Sequence, residues 1–250
     1  MQPHAQHFAS LHSKGNPLVL YNAWDAGSAR TIAAAGSRAI GTSSWAIAAA
    51  HGYEDGEAIP FTLVEQVIGR IVATAAVPVT VDVEGGYSDD PQACAENIGR
   101  LVDLGVAGIN FEDRVVSGTG LHGIEAQCAR IAAIRKLADA RGIPLFINAR
   151  TDLFFGAEIS PEDALAEARE RAAAYAQAGA SGLFVPGLAD LRTITELCGM
   201  TDLPLNVMVV PGLPHIDALA GAGVARISYG PGPYLQAMEA LRSAAQGVLA

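Results

Sequence analysis

Cysteine, positive charge and long apolar runs are all in short supply in this chain, and each shortage excludes something. The three cysteines, Cys94, Cys128 and Cys198, are odd in number and far apart in helix-like stretches. That pattern supports neither a disulfide framework nor a zinc knuckle, and it fits small buried thiols in a reducing compartment. Only 16 Lys and Arg stand against 26 Asp and Glu, a formal net charge of −10. Nucleic acid and anionic membranes need clustered cations to neutralise phosphates, so neither partner is expected. Half the residues are apolar, yet no uncharged apolar stretch reaches the ~18 residues of a membrane span. Residues 1–16 read as a polar lead-in that lacks the basic start, apolar middle and small-residue cleavage site of a signal peptide. A cytoplasmic protein acting on a small molecule is the expectation.

What is present is alternation. Eight short apolar runs, Leu18–Asn22, Arg38–Gly41, Pro78–Asp82, Val106–Phe111, Leu145–Asn148, Gly182–Val185, Leu205–Val209 and Ala225–Tyr229, are separated by segments of helical period. Among the latter are Leu63–Ala73, Pro91–Leu104, Glu125–Ala140 and Pro161–Ala178. Strands alternating with helices give parallel βαβ units. Eight of them in 250 residues predict a single-domain (β/α)8 barrel spanning residues 1–250, with residues 233–250 as its last helix. No G-x-G-x-x-G follows the first strand, which weighs against a dinucleotide fold. Glycines at 36, 105, 142 and 179 sit where left-handed helix C-caps would precede the next strand.

Active sites of such barrels lie at the C-terminal ends of the strands, and here those ends are acidic. The third run leads into Asp82-Val83-Glu84-Gly85-Gly86-Tyr87, and residues two apart on a strand share a face. The fourth leads into Asn110-Phe111-Glu112-Asp113. Asp82, Glu84 and Glu112 would then surround one point, and repelling carboxylates are commonly reconciled by a hard divalent cation, Mg²⁺ or Mn²⁺. The same acids also fit helix caps and solvated loop positions. The fifth run ends Asn148-Ala149-Arg150-Thr151-Asp152; its arginine suits a substrate carboxylate, or an internal pair with Glu112 or Asp152. Ser43 and Ser44 follow the second strand as either anion contacts or turn residues. His51 and His122 lie on mouth-side loops.

In this order, Asn22-Ala23-Trp24-Asp25, Gly52-Tyr53-Glu54-Asp55, Asp82-Val83-Glu84-Gly85-Gly86-Tyr87, Asn110-Phe111-Glu112-Asp113 and Asn148-Ala149-Arg150-Thr151-Asp152 resemble the isocitrate lyase and phosphoenolpyruvate mutase superfamily over nearly the whole chain. The resemblance implies that Asp82 ligates Mg²⁺ directly, with Asp55, Glu84 and Glu112 holding the ion or its waters. It implies that Trp24, Ser43, Ser44 and Arg150 contact a small carboxylic acid; apart from the resemblance, a bound water, Tyr21, His122 or Asp55 is the candidate proton carrier. The resemblance further implies a dimer or tetramer whose subunits exchange the last helix.

Departures from the family pattern narrow the reaction. Arg114-Val115-Val116-Ser117-Gly118-Thr119-Gly120-Leu121-His122-Gly123 replaces the Lys-Cys-Gly-His loop of the isocitrate and methylisocitrate lyases, and it is not the lysine-rich gating loop of the mutases. Glu84 stands where mutases commonly have aspartate. The expectation is a Mg²⁺-dependent lyase cleaving a C–C bond beside a 2-oxo or 2-hydroxy carboxylate. The alternatives are a C–P hydrolase or mutase and a non-catalytic binder of 2-oxo acids.

Overall fold

The computed structural model describes residues 2–155 and 159–249; Met1 and Ala250, the outer ends of the predicted lead-in and last helix, lie outside them. Its strands are β1 (Leu18–Leu20), β2 (Asn22–Ala23), β3 (Ile40–Thr42), β4 (Val79–Asp82), β5 (Gly108–Glu112), β6 (Phe146–Arg150), β7 (Gly182–Val185), β8 (Leu205–Met208) and β9 (Arg226–Ser228). Each of the eight predicted runs overlaps a strand, the first being broken at Tyr21. All pairings are parallel, in the order β1-β9-β8-β7-β6-β5-β4-β3-β2. Because β1 pairs with β9 and β2 with β3, the two halves of one strand join the ends of the sheet, and the result is the expected (β/α)8 barrel. Asn22 seals that seam. Its Nδ2 donates to the Thr42 carbonyl at 2.8 Å, and its Oδ1 accepts from the backbone N–H of Tyr229 and Gly230, each at 3.0 Å.

Helices cover the outside of most strands, which are therefore buried on both faces and read as plain apolar runs; on β1 Val19 stays exposed. Gly36, Gly105, Gly142 and Gly179 all adopt positive φ at helix ends, as their positions predicted. Ser160 caps the helix Pro161–Ala178, accepting from the Asp163 N–H.

Part of the lead-in is helical. Residues Gln2–Ser10 form a helix whose Ala5 and Phe8 are buried, and it closes the lower end of the barrel. A Cβ at Gly108 would lie 2.7 Å from Phe8, and one at Gly182 would lie 3.0 Å from Phe146; both glycines leave room for the aromatic plug. His12 completes it, stacked on Phe146 at 4.0 Å. Its Nδ1–H donates to the Phe8 carbonyl at 2.9 Å, while Nε2 is buried with no partner. A proton on Nε2 would find no acceptor, and burial, then Arg226, depresses the pKa to about 3.

A depressed histidine stabilises the fold fully above the unfolded value near 6.5, and that contribution is lost as pH falls toward 3. Denaturant unfolding across this window should show a slope of up to about 1.4 kcal/mol per pH unit from His12. His12→Phe should flatten it; equal slopes in both proteins would refute this account of His12.

Candidate active site

Asp82 ends β4 at the mouth of the barrel. Its N–H donates to Thr42 Oγ1 at 3.1 Å, and its Oδ2 accepts from Ser44 Oγ at 2.8 Å and Ser44 N at 3.3 Å. Its Oδ1 is buried with no hydrogen-bond donor. Ser43 accepts from the Ala46 N–H and caps the helix Ser44–Ala50. The two serines expected at the substrate are thus engaged locally: one fixes a helix start, the other orients Asp82.

Glu84 reaches the same place by a different route from the one predicted. β4 stops at Asp82, so strand alternation does not extend to Glu84, which lies in a turn with φ +50°. Its Oε2 accepts from the Glu57 N–H at 2.8 Å, and Glu57 Oε1 in turn accepts from the Tyr87 N–H at 2.7 Å. Glu57, Glu84 and Tyr87 are the three non-glycine residues with positive φ among those described. Such a conformation costs about 1–2 kcal/mol per residue, offset in part by these hydrogen bonds at about 0.5–1.5 kcal/mol each. Backbone strain gathered in one place commonly marks a functional site. The turn is clamped from below by the buried Arg130, which donates to the carbonyls of Gly85 and Ser88 and lies 4.7 Å over the Phe111 ring. Gly86, at φ +81°, admits no side chain, since a Cβ would sit 2.5 Å from Cys94 Sγ.

Glu112 and Arg150 are register partners on β5 and β6, and their side chains pair at 3.0 Å. Asp152 holds Arg150 from the other side with two bonds, 2.6 Å to Nε and 2.8 Å to Nη2. Both internal pairings foreseen for Arg150 are therefore made. A guanidinium has five N–H groups, and only two of them are hydrogen-bonded to Asp152. Asp113 stabilises the assembly from behind: its Oδ1 accepts from the Asp152 N–H at 3.1 Å, and its Oδ2 from Arg171 at 3.0 Å and Tyr175 at 2.8 Å. Glu57 and the Arg171–Tyr175 pair were not singled out from sequence; Asp152 was, as an internal partner of Arg150.

The electrostatics follow from this crowding. Burial, then Asp82 and Asp55, raises Glu84 to about 8. Glu112 also rises to about 8, driven first by burial, with Arg150 opposing and Asp152, Asp82 and Glu84 adding to it. Asp55, on the exposed rim, is raised by partial desolvation and by Asp82. Asp82, Glu84, Glu112, Asp55 and Arg150 thus share one bowl. Among the described residues, however, no three His, Cys, Asp or Glu side chains are grouped as a metal-binding set. The predicted convergence of Asp82, Glu84 and Glu112 on one point is corrected to that extent, because Glu112 turns to Arg150 and Glu84 to Glu57. The donor chemistry still fits a hard cation: Asp82 Oδ1 and Glu84 Oε1 are buried acceptors without donors.

Three expected residues lie elsewhere. Tyr21 faces outward with Val19, donates to Gln236 at 2.6 Å and, with Trp24, lines a groove between the helices Ala26–Ala34 and Gly232–Leu249. Trp24 packs edge-on against Tyr234 at 5.3 Å. His122 points to Asp89, 3.3 Å away, and makes no hydrogen bond or ion pair to the bowl. His51 donates to the Ile47 carbonyl at a helix end.

Glu84→Gln keeps an oxygen for the Glu57 N–H and removes one buried charge. It should stabilise the metal-free protein by roughly 1–2 kcal/mol at pH 8, measured by urea unfolding; a loss of stability would show that the charge repulsion is not felt.

The sequence profile of the phosphoenolpyruvate phosphomutase family matches residues 8–249. A Mycobacterium tuberculosis H37Rv protein of uncharacterised function is 36% identical over 96% of this chain and 88% of its own. A Burkholderia cenocepacia J2315 crystal structure, provisionally named a phosphonomutase, is 47% identical with a TM-score of 0.95, covering 98% of both chains. The 2-methylisocitrate lyase of Escherichia coli K12 is 29% identical over 96% of this chain and 81% of its own. Also similar are the phosphoenolpyruvate phosphomutase of Streptomyces hygroscopicus, 29% identical over 95% and 77%, and the oxaloacetate decarboxylase of Pseudomonas fluorescens SBW25, 31% identical over 68% and 58%. The barrel, the acidic bowl and these matches agree: the chain belongs to the phosphoenolpyruvate phosphomutase family, and with it to the isocitrate lyase and phosphoenolpyruvate mutase superfamily of lyases and mutases.

Proposed function

We propose that the protein is a Mg²⁺-dependent lyase that cleaves a C–C bond next to a 2-oxo or 2-hydroxy carboxylate through a pyruvate-enolate-like intermediate. The observation that carries this reading is the conjunction of two bare, buried carboxylate oxygens, Asp82 Oδ1 and Glu84 Oε1, with an arginine at the next strand ends whose N–H groups are only partly used by Asp152 and Glu112. Asp82 and Glu84 would hold the ion, with Glu112 and Asp55 completing the negative wall; Mn²⁺ suits the same oxygens. When bound, a divalent cation supplies Lewis-acid stabilisation of charge growing on the substrate's oxo oxygen.

The chain's own residues supply the rest. Arg150, fixed on two sides by Asp152 and Glu112, presents its remaining N–H groups to the substrate carboxylate and costs little reorganisation when it does. Ser44 and Thr42 hold Asp82 in one orientation. Asp55, on the rim with a raised pKa, is the carboxyl placed to carry a proton between substrate and solvent. Relatives named as a 2-methylisocitrate lyase and an oxaloacetate decarboxylase support C–C cleavage. A second reading, C–P cleavage of a phosphonopyruvate-like substrate, is favoured by the 47% identical structure provisionally named a phosphonomutase. Inorganic phosphate or a rearranged phosphonate as product would select it.

We further infer a homo-oligomer. In the helix Gly232–Leu249 only Pro233 is buried, and Leu235, Met238 and Leu241 are 50%, 37% and 62% exposed at spacings of three. Apolar faces of that kind mark interaction surfaces. No helix among the described residues is long and apolar enough to cross a membrane, and free Cys94, Cys128 and Cys198 suit the cytoplasm.

Thermal unfolding with Mg²⁺ and oxalate, a mimic of the pyruvate enolate, should show a joint rise in Tm that Asp82→Ala abolishes; no rise in the wild type would sink the metal site. On a panel of 2-oxo and 2-hydroxy acids, Arg150→Lys, which loses the two-sided clamp, should lower kcat/KM about 100-fold or more. Leu241→Glu should shift light-scattering mass toward smaller species, and an unchanged mass would remove this helix from the interface.

A further inference from the structure

Beneath the bowl lies a charge that the proposed chemistry does not yet use. Arg226, on β9, is fully buried inside the barrel. Its Nη2 donates to Asn110 Oδ1 at 3.1 Å and its Nε to Ser228 Oγ at 3.2 Å, whereas Nη1 meets no acceptor. No carboxylate pairs with it among the described residues. Asn110 is the register partner of Asp82, so the guanidinium reaches across the barrel to the layer on which the Asp82 carboxylate rests. Asn110 also accepts from Asn148 at 2.9 Å, which fixes the receiving oxygen. The orphaned donor Nη1 and the orphaned acceptor Asp82 Oδ1 therefore belong to one interior, the donor below and the acceptor at the mouth. Burial lowers the Arg226 pKa to about 9, with Asp82 pulling the other way, and the side chain stays charged at neutral pH.

An unpaired buried cation is costly, and one that no salt bridge satisfies acts through its field. We propose that Arg226 is a positioning residue whose fixed charge opposes a divalent cation at Asp82 and attracts an anion there, so that metal and carboxylic acid bind tightly only together. The inference rests on the metal reading given above. It makes opposite predictions for two ligands. Neutralising Arg226 removes a repulsion from the cation and an attraction from the acid, whereas simple damage to packing would weaken both.

The test measures Mn²⁺ binding to the metal-free protein by the electron paramagnetic resonance of free Mn²⁺, and oxalate binding at saturating Mn²⁺ by calorimetry. Arg226→Gln should bind Mn²⁺ alone about tenfold tighter and oxalate about tenfold weaker than the wild type. Arg226→Lys, which keeps the charge, should stay near the wild type on both counts. Arg226→Met, which fills the space without charge, should repeat the paired shifts if the glutamine variant does not fold. Two losses together, or no change in either affinity, would overturn the inference while leaving the metal site intact. A wild type that binds no Mn²⁺ overturns the metal reading and this inference with it.

Discussion

Carboxylates gathered out of water repel one another, and the mouth of this barrel gathers Asp82, Glu84, Glu112 and Asp152, only two of which pair with Arg150. Everything nearby bears on that repulsion. Ser44 and Thr42 hold Asp82, the Glu57 backbone holds Glu84, and Arg150 is shared between Glu112 and Asp152. Further out, Asp113 couples the Asp152 backbone to Arg171 and Tyr175. The barrel contributes rigidity: its parallel strands fix where each backbone ends, and the side chains beyond those ends are left to balance the charge.

Those strand ends were readable from sequence because strands buried on both faces appear as uninterrupted apolar runs, and the glycines that end helices appear as punctuation. Asp82, Glu112 and Arg150 could be placed for the same reason. Glu84 was reached by an incorrect step, since the rule of alternating faces holds only while the strand continues, and here it stops two residues earlier. Tyr21 and His122 also stand near strand ends in the sequence, but Tyr21 follows the outward alternation of Val19 and His122 is carried toward Asp89 by its loop. The helix Gln2–Ser10 was hidden by its polar composition; one buried phenylalanine fitted to two distant glycines is a three-dimensional fact. Arg226 stood in a predicted strand, but nothing local told whether its side chain faced the barrel interior or the surrounding helices.

The loop after β5 shapes what the site can do. Arg114 and Leu121 form a bridge, the Val115 N–H donates to the Gly120 carbonyl at 3.0 Å, and Val116 packs near Gly85 and Gly56. It is thus a tight hairpin fastened to the strained turn of Glu84. Its residues offer neither the cysteine nor the lysine of the lyase loop it replaces. On the proposed reading, proton movement then falls to the bowl, to His122 or to solvent entering from the rim.

The helix Gly232–Leu249 has one more consequence. The chain has two tryptophans, and both lie edge-on against Tyr234 of that helix, Trp24 at 5.3 Å and Trp45 at 6.0 Å between ring centroids. The whole tryptophan emission of the molecule therefore arises from one corner, where the last helix meets the ends of β2 and β3. The protein carries its own optical reporter, sensitive to how that helix is seated and largely blind to changes on the opposite wall of the barrel.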